Sequence, residues 1–363
     1  MTILSDSRAE AIDAFLDKAG FGSARRIPLG QDASTRSYVR LVGGPKPALL
    51  MDAPPVEDAP CPPDASEATR ISMGWNASTR LAASRVNAFA AIARHLRSRG
   101  FSAPEVLAEQ SDVGLAIIED FGEGHEFARL IERGEADEVD LYTKAAEALA
   151  DWHSESAPER LENWPILDFD ALALRAGADL FAEWLPQLET EMRLDGVALQ
   201  RWEIERDALI EQAVSFTRSF ILRDYHAENL LWLPERAGKA RIGLLDFQDA
   251  VNGWDAWDMA MLVQDARREV SERAETAARH AYLDVSGKDE VDFLERLAVI
   301  GTLNALRITG LFARLPVRDG KQRYLDFMPR QQALLVRNLK HPACADMAGF
   351  VRDVAPFLFE RHG

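Results

Sequence analysis

The sequence predicts an α+β protein with two unequal parts, a small lobe built on an antiparallel sheet and a larger, mainly helical lobe. Short apolar runs separated by turn residues fill residues 1–120, and this pattern is typical of strands joined in a meander. Long amphipathic stretches fill residues 121–363 and are interrupted once, by a strand-rich segment at 221–253. We therefore expect a boundary near residue 120 and a ligand cleft between the two lobes.

The elements of the first lobe follow from local patterns. A capped helix is predicted at about 6–19 and ends at Gly20. Apolar residues at helical spacing indicate a second helix at 79–99. Strands are predicted at 25–29, 37–42, 47–52, 104–109 and 114–119. Five prolines in residues 53–66 indicate a surface loop between the third strand and the second helix.

The second lobe is predicted to consist of long helices. Amphipathic patterns place them at about 138–154, 169–192 and 198–219, and further helices follow residue 253. The apolar stretch 295–315 approaches the length of a membrane span. However, Asn304, Arg307 and Arg314 interrupt it well short of the roughly 20 apolar residues that a span requires. We therefore expect a buried helix there and no membrane partner.

Composition excludes several classes of protein. Of the 363 residues, 47% are apolar and 28% are charged, which excludes intrinsic disorder and fibrous architectures. Asp and Glu total 59 against 42 Lys and Arg, and the net charge of −17 repels a nucleic-acid backbone. The acidic excess lies beyond residue 110, where 47 acidic residues face 29 basic ones. We expect no nucleic-acid partner, and the sequence leaves any protein partner undetermined.

The cysteine content and the N-terminus bear on the compartment. The two cysteines, Cys61 and Cys344, are too few for a disulfide framework or a cysteine-rich zinc site. The N-terminal stretch lacks the basic and apolar regions of a secretory signal. Both observations lead us to expect a cytoplasmic protein.

The polar side chains of the segment 221–253 suit a site for a hard cation. Asp224 is followed five residues later by Asn229, and Asp246 ends a short apolar run. Carboxylate and carboxamide oxygens are ligands that Mg²⁺ accepts, together with water and substrate phosphates. The alternative for Asp246 is a buried salt bridge with Arg223, and the alternative for Asn229 is a role as a turn former.

At these residues the sequence resembles the aminoglycoside phosphotransferase and choline kinase superfamily. The catalytic segment of that superfamily has the form H-x-D-x-x-x-x-N and is followed by a D-F-x-D-type metal motif. The resemblance implies a protein-kinase-like two-lobe fold, in which Asp224 is the catalytic base while Asn229 and Asp246 hold the metal against the phosphates.

A narrower resemblance extends over most of the chain. It rests on five strings: DASTRSYVR from residue 32, LMDAPP from 50, IEDFG from 118, RDYH from 223 and LDFQDA from 245. They are similar to strings in the bacterial kinases that phosphorylate N-acetylmuramate and N-acetylglucosamine at the anomeric hydroxyl. This resemblance implies ATP and Mg²⁺ as cofactors, an amino-sugar acceptor, a sugar 1-phosphate product and a role in cell-wall recycling.

Two alternatives to this function stay open. One is a kinase for another small hydroxyl compound, such as an aminoglycoside or choline, and the acidic excess of the second lobe favours a cationic acceptor over the anion N-acetylmuramate. A local basic patch would reverse that preference. The other alternative is a protein that binds nucleotide without transferring phosphate.

Two positions depart from the pattern of the resembled kinases. Leu222 stands two residues before the proposed base, where the family has His, so a hydrogen bond that orients the loop is expected to be lost while the base remains. Met51 stands where related kinases have a phosphate-binding Lys. Both departures favour the non-catalytic alternative.

Phosphate-binding groups are therefore expected from the glycine-free turn QDASTRS. Arg36 and Arg40 can supply positive charge, because a guanidinium binds phosphate oxygens in a bidentate way. Ser34 and Thr35 can offer backbone and hydroxyl donors in place of a glycine-rich loop.

Adenine is expected at the link between the lobes. The segment Glu119, Asp120 and Phe121 follows the last predicted strand of the first lobe. The resemblance implies that backbone groups of this hinge meet the base, which is compatible with a plain linker.

The remaining candidates lie close to Asp224 in sequence. His226, Asp249 and Trp254 are expected to contact the acceptor, although packing in the core is the alternative for the histidine and the tryptophan. Arg223 and Asp258 are expected to support the catalytic loop, the aspartate by hydrogen bonds to its backbone.

Overall fold

An antiparallel five-stranded sheet organises the first part of the chain. The computed structural model describes residues 2–29, 36–55, 62, 64–73 and 85–363. The strands are β1 (Arg25–Pro28), β2 (Ser37–Val42), β3 (Ala48–Asp52), β4 (Val106–Gln110) and β5 (Leu115–Glu119). They lie in the order β1-β2-β3-β5-β4 with antiparallel neighbours. The predicted meander is confirmed for β1, β2 and β3, whereas β3 then pairs with β5 and leaves β4 at the edge. Each strand lies within two residues of its expected bounds.

Helices make up most of the remaining chain. Before β5 they are α1 (Thr2–Lys18), α2 (Glu67–Ser72) and α3 (Val86–Ser98). After it they are α4 (Phe127–Glu132), α5 (Glu138–Trp152), α6 (Ala171–Leu188), α7 (Gly196–Ser215), α8 (Asp255–Val263), α9 (Glu272–Ser286), α10 (Glu290–Asp319), α11 (Met328–Leu339), α12 (Ala345–Val354) and α13 (Pro356–His362). The predicted α+β class is confirmed. The boundary expected at residue 120 follows directly after β5 and stays a prediction.

The sheet is covered on both faces because side chains alternate along each strand. In β5, Leu115 and Ile117 pack in an apolar cluster with Leu16 of α1. Ile118 belongs instead to the main core, which also contains Phe89 of α3. The sheet is thus fixed between two helices, and its end at β5 is held in a defined position relative to the helical part.

Three short antiparallel strand pairs interrupt the helical part. Their members are β6 (Arg160–Leu161) with β7 (Trp164–Pro165), β8 (Arg218–Ile221) with β11 (Val251–Trp254), and β9 (Leu230–Trp232) with β10 (Ile242–Leu244). The connection from β8 to β9 and the connection from β10 to β11 start and end on paired strands. The two connections must therefore lie side by side.

The longest helix, α10, is the centre of the helical part. It is 30 residues long, and by length and composition it could cross a membrane, but 78% of its most apolar segment is buried in the protein. It packs along α6. Gly310 permits this contact, because a Cβ atom there would lie 2.1 Å from the carbonyl carbon of Leu180. The predicted buried helix is confirmed and is longer than expected.

The structure differs from the expectations at several element ends. The first helix begins at Thr2 instead of residue 6, and the helix expected to reach 219 ends at Ser215 because β8 pairs with β11. The helix α2 and the pair β6–β7 were not predicted, since elements of six and two residues carry too little periodicity. Residues 79–84 of the second expected helix and half of the proline-rich segment, residues 56–61 and 63, lie outside the described residues.

Replacing Gly310 by alanine tests the packing of α10. We expect Gly310→Ala to lower the free energy of unfolding by about 2–3 kcal/mol, because the added methyl group meets backbone atoms that cannot move aside. Urea denaturation followed by circular dichroism measures this change.

The matched control is Gly196→Ala in α7, where no atom lies within 4 Å of the new Cβ atom. Its free energy of unfolding should change by less than about 1 kcal/mol. Equal stability of the Gly310 variant and the native protein would contradict the close backbone approach.

Candidate active site

Strand pairing brings two polar loops together. Loop A is defined as residues 222–229, and loop B as residues 245–250. Leu230 pairs with Leu244. The backbone amide of Leu245, the first residue of loop B, donates a hydrogen bond of 3.0 Å to the carbonyl of Asn229. This register places the end of loop A against the start of loop B.

A buried carboxylate fixes the backbone of loop A. Asp258 in the first turn of α8 is completely buried, and its two oxygens accept hydrogen bonds from the amides of Leu222 (2.6 Å) and Arg223 (2.7 Å). Its Oδ2 also lies 3.2 Å from Nε2 of His153, and the other ring nitrogen of that histidine lies 2.9 Å from the hydroxyl of Tyr282. The backbone of loop A is therefore held although Leu222 stands where the resembled kinases have His.

The carboxylate of Asp224 is left without a partner at the turn of loop A. Its carbonyl accepts hydrogen bonds from the side-chain amide of Asn229 (3.0 Å) and from the backbone amide of His226 (3.1 Å). Among the described residues, the Asp224 carboxylate has no hydrogen bond or ion pair, and the side chain is partly exposed. It is free to act on a bound molecule.

Asp246 begins the turn of loop B in a strained conformation. Its φ angle of 55° lies in the left-handed region. Its Oδ1 receives hydrogen bonds from Nη2 of Arg36 (2.5 Å) and from Nε2 of Gln248 (2.8 Å). Burial alone raises the pKa of Asp246, but the charge of Arg36 and these hydrogen bonds outweigh it and hold the pKa below its ordinary value. The alternative of an ion pair between Asp246 and Arg223 is wrong, because the partner of Asp246 is Arg36.

A stacked aromatic pair connects loop B to the first part of the chain. Phe247, the residue after Asp246, stacks on Phe89 of α3 with ring centroids 4.9 Å apart. Both rings are buried. The position of Asp246 is therefore coupled to the helix that covers the inner face of the sheet.

A cleft of about 560 Å³ lies between the sheet and the helical part. Asn229 and Asp246 line it, together with hinge residues from Glu119 to Glu123. Its apolar walls come from both parts of the chain and are formed by Leu29, Tyr38, Leu49, Phe89, Pro104, Ile118, Leu231 and Leu245. A flat apolar group such as a nucleobase fits this environment.

The hinge side chains are occupied by structural contacts. The Glu119 carboxylate accepts hydrogen bonds from Arg97 (3.1 Å), from Arg236 (2.7 Å) and from the amide of Glu105 (3.1 Å). The Asp120 carboxylate pairs with Nε of Arg40 at 2.5 Å.

The backbone of the hinge is only partly used. The amides of Glu119 and Asp120 donate to backbone carbonyls, whereas no hydrogen bond from the Phe121 amide occurs among the described residues. Of the three predicted hinge residues, Phe121 is thus the one whose backbone amide has no hydrogen bond among the described residues and is left for a ligand.

The predicted phosphate-binding groups are not equally available. Arg36 is buried beside Asp246 and lines the cleft, whereas Arg40 is paired with both Asp120 and Glu123. Ser34 and Thr35 lie outside the described residues. Met51 is buried in the main core. Because its side chain carries no charge, this strand position supplies no cation for a phosphate.

Two residues, one lining the cleft and one beside Asp246, were missed by the sequence reasoning. Arg129 of α4 lines the cleft and lies 3.5 Å from Glu126, and no local pattern distinguishes it from other helical arginines. Gln248 donates to Asp246, and its place two residues after that aspartate was the available indication.

The three predicted acceptor contacts are all buried. His226 is 4% exposed, with Nε2 lying 3.3 Å from the amide nitrogen of Asn229. Asp249 is 9% exposed. Burial lowers the pKa of Arg36, but Tyr38, Asp246 and Asp249 together outweigh it and hold that pKa above its ordinary value. Trp254 is completely buried and lies under the guanidinium of Arg218, 4.5 Å from its ring centroid, which favours the packing alternative for this residue.

The donor set at the junction of the two loops fits Mg²⁺. Asp246 offers Oδ2 and Asn229 offers Oδ1, since the hydrogen bonds described above use the other polar atom of each side chain. In the described part of the chain, no cluster of three or more His, Cys, Asp and Glu side chains is arranged to hold a metal. Two oxygen donors suit a cation that is otherwise bound by water and phosphate.

Sequence comparisons match this chain to phosphotransferases. The profile of the phosphotransferase enzyme family matches residues 25–294. The chain is 46% identical to an N-acetylmuramate/N-acetylglucosamine kinase of Caulobacter vibrioides, over 97% of this chain and 98% of that protein. It is 29% identical to a protein of the same name from Pseudomonas aeruginosa, over 90% of each chain.

Solved structures share the fold at low sequence identity. A choline/ethanolamine kinase family protein from Mesorhizobium loti superimposes with a TM-score of 0.58 and 16% identity, covering 97% of this chain and all of that one. An ADP-bound aminoglycoside phosphotransferase gives a TM-score of 0.51 at 13% identity, covering 90% of this chain and 99% of the other. The predicted kinase-like fold is confirmed. The sequence match and the shared fold together show that this chain is an enzyme that belongs to the phosphotransferase enzyme family.

Proposed function

We propose that this protein is an ATP-dependent kinase that phosphorylates the anomeric hydroxyl of N-acetylmuramate or N-acetylglucosamine. The observation that carries the proposal is the junction of loops A and B, where Asp224 is linked to Asn229 and Asn229 meets Asp246 at one end of a cleft. The names of the relatives support the choice of acceptor. A sugar 1-phosphate product, a role in cell-wall recycling and a cytoplasmic location are parts of this proposal.

ATP would bind with its base at the hinge. The Phe121 amide is the donor available to adenine, and the apolar walls of the cleft cover the ring faces. The phosphates would then extend toward Asn229 and Asp246, the polar end of the same cleft. ADP in the related fold of an aminoglycoside phosphotransferase supports a nucleotide in this cleft.

Asp224 would act as the base. An oxygen of the free carboxylate accepts the proton of the anomeric hydroxyl while that hydroxyl oxygen bonds to the γ-phosphorus, and the bond from phosphorus to the β-phosphate oxygen breaks to release ADP. An anomeric hydroxyl is more acidic than an ordinary alcohol, which makes this proton transfer easier.

The charge on the phosphates would be balanced by groups at the polar end of the cleft. Asp246 and Asn229 would hold Mg²⁺, which when bound neutralises negative charge on the phosphate oxygens. Arg36 lies beside Asp246, so it can exchange its carboxylate partner for a phosphate oxygen without leaving the site. Its position gives the cleft the cation that Met51 does not provide.

Replacing the proposed base tests the reaction and its acceptor together. ³¹P NMR of the protein with Mg-ATP and either N-acetylglucosamine, N-acetylmuramate, choline or kanamycin should show a new anomeric phosphate signal with an amino sugar only. In Asp224→Asn we expect kcat to fall by about 10²–10⁴-fold, because general-base catalysis is lost.

The control is Asp112→Asn, which makes the same chemical change in an exposed turn and should retain native kcat. Unfolding temperatures of both variants establish that they are folded. ATP left intact in every tube would refute the kinase proposal, and a product with choline or kanamycin alone would move the acceptor to another class.

Two arginine variants separate the candidates for phosphate binding. Because Arg36 lies beside Asp246 whereas Arg40 is held by hinge carboxylates, we expect Arg36→Lys to lower kcat/KM for ATP by about 10–100-fold. Arg40→Lys should change it by only a few-fold. Steady-state kinetics at saturating sugar measure both values, and the opposite ranking would assign the phosphates to Arg40.

A further inference from the structure

Two largely buried guanidinium groups near Asp224 have no carboxylate partner. Arg223 is 6% exposed, and its Nε and Nη1 are buried without a hydrogen-bond partner among the described residues. Arg307 of α10 donates from Nε (3.1 Å) and Nη2 (2.9 Å) to Oδ1 of Asn304, which is a neutral acceptor. Within the described part of the chain, neither arginine forms an ion pair, so both charges lack an anion.

The other buried arginines among the described residues are paired. Arg36 pairs with Asp246 at 2.5 Å, Arg206 pairs with Asp179 at 2.6 Å, and Arg70 pairs with Asp170. Unpaired buried charge is unfavourable, because desolvation is not compensated. The contrast is sharper because residues beyond 110 hold 18 more acidic than basic side chains, so carboxylates are abundant. Among the described residues, none of these carboxylates forms an ion pair with Arg223 or Arg307, which indicates a place for an anion from outside the chain.

An aromatic platform holds the two guanidinium groups in place. Arg223 lies over Phe169 with 4.9 Å between its Cζ and the ring centroid, and Arg307 lies over Trp257 at 5.4 Å. The two rings contact each other edge to face at 4.7 Å, and the indole nitrogen lies 3.3 Å from the carbonyl of Arg223. A guanidinium stacked on a ring keeps its N–H groups at the edges, where a planar carboxylate binds.

Electrostatic contacts show that this cluster lies within range of the reacting centre. Burial and then the nearby charge of Arg223 lower the pKa of Arg307 to about 10, with Asp224 acting in the opposite direction and Arg267 in the same one. Arg267 already has partners, because its guanidinium lies 3.4 Å from Nε2 of His226 and 3.4 Å from the carboxylate of Glu228. The guanidinium of Arg307 thus lies within electrostatic range of the carboxylate of Asp224, the proposed base.

We infer that Arg223 and Arg307 form a subsite for a carboxylate carried by the sugar acceptor. This inference rests on the proposed function and narrows it. N-acetylmuramate and N-acetylglucosamine differ in the lactyl ether on O3, whose carboxylate is the anion that the subsite lacks. The subsite would favour N-acetylmuramate, the acidic sugar. It is the local basic patch that would reverse the preference for a cationic acceptor expected from the acidic excess beyond residue 110.

Kinetic discrimination between the two sugars tests the subsite. In Arg307→Met, we expect the ratio of kcat/KM for N-acetylmuramate to that for N-acetylglucosamine to fall about 10–100-fold relative to the native protein, the range for loss of a charge-assisted hydrogen bond. Arg307→Lys keeps the charge and should lose less of the ratio. Arg318→Met, at an exposed position on the same helix, should keep the native ratio.

A modified substrate gives a test that does not depend on the folding of a variant. For the native protein, the methyl ester of the lactyl group should lower kcat/KM about 10–100-fold relative to N-acetylmuramate. Equal kcat/KM for acid and ester, or an unchanged sugar ratio in Arg307→Met, would overturn the subsite while leaving the kinase intact. Equal losses for both sugars in that variant would assign Arg307 to the nucleotide phosphates. If the native protein phosphorylated neither sugar, the proposed function would fail and the subsite with it.

Discussion

The geometry of the site depends on the hydrogen bonds from loop A to Asp258. This carboxylate has no exposed surface, and its desolvation is offset because both oxygens accept backbone amides and because it lies in the first turn of a helix, where the helix dipole favours negative charge. The same contacts hold Arg223 at a φ angle of 74°, a left-handed conformation that costs about 1–2 kcal/mol for a residue with a side chain. Because the backbone of Arg223 is fixed, the position of the next residue, Asp224, is restricted as well.

The two ends of the site differ in how charge is balanced. On the nucleotide side, the charges of Arg36 and Arg40 are already balanced by carboxylates before a ligand enters. Among the described residues, Arg223 and Arg307 have no carboxylate partner; each lies over an aromatic ring, and Arg307 also donates to the side-chain oxygen of Asn304. A buried cation is unfavourable unless an anion compensates its charge, and a ligand can supply that anion. The difference in charge balance is therefore consistent with an acceptor that carries a carboxylate.

Much of the fold could be predicted because its determinants are local. Short apolar runs between turn residues located the strands of the sheet, helical spacing located α5 and α6, and an apolar stretch located α10. Element ends were less predictable, since the end of α7 is set by pairing of β8 with a strand about thirty residues away. The hydrogen bonds of Asp258 to the backbone of the catalytic loop were also expected from the sequence. The elements α2, β6 and β7 were too short to leave a periodic pattern.

The sequence by itself determined the kind of chemistry, because Asp224, Asn229 and Asp246 occur at a spacing that matches a known catalytic segment. Only the tertiary structure decided which charges meet. Asp246 pairs with Arg36, more than two hundred residues away, and not with Arg223, its nearer candidate. Arg307 reaches the site from a helix that composition marked only as buried. Spacing along the chain reports local periodicity, whereas partners in a buried site are selected by packing and desolvation among distant elements.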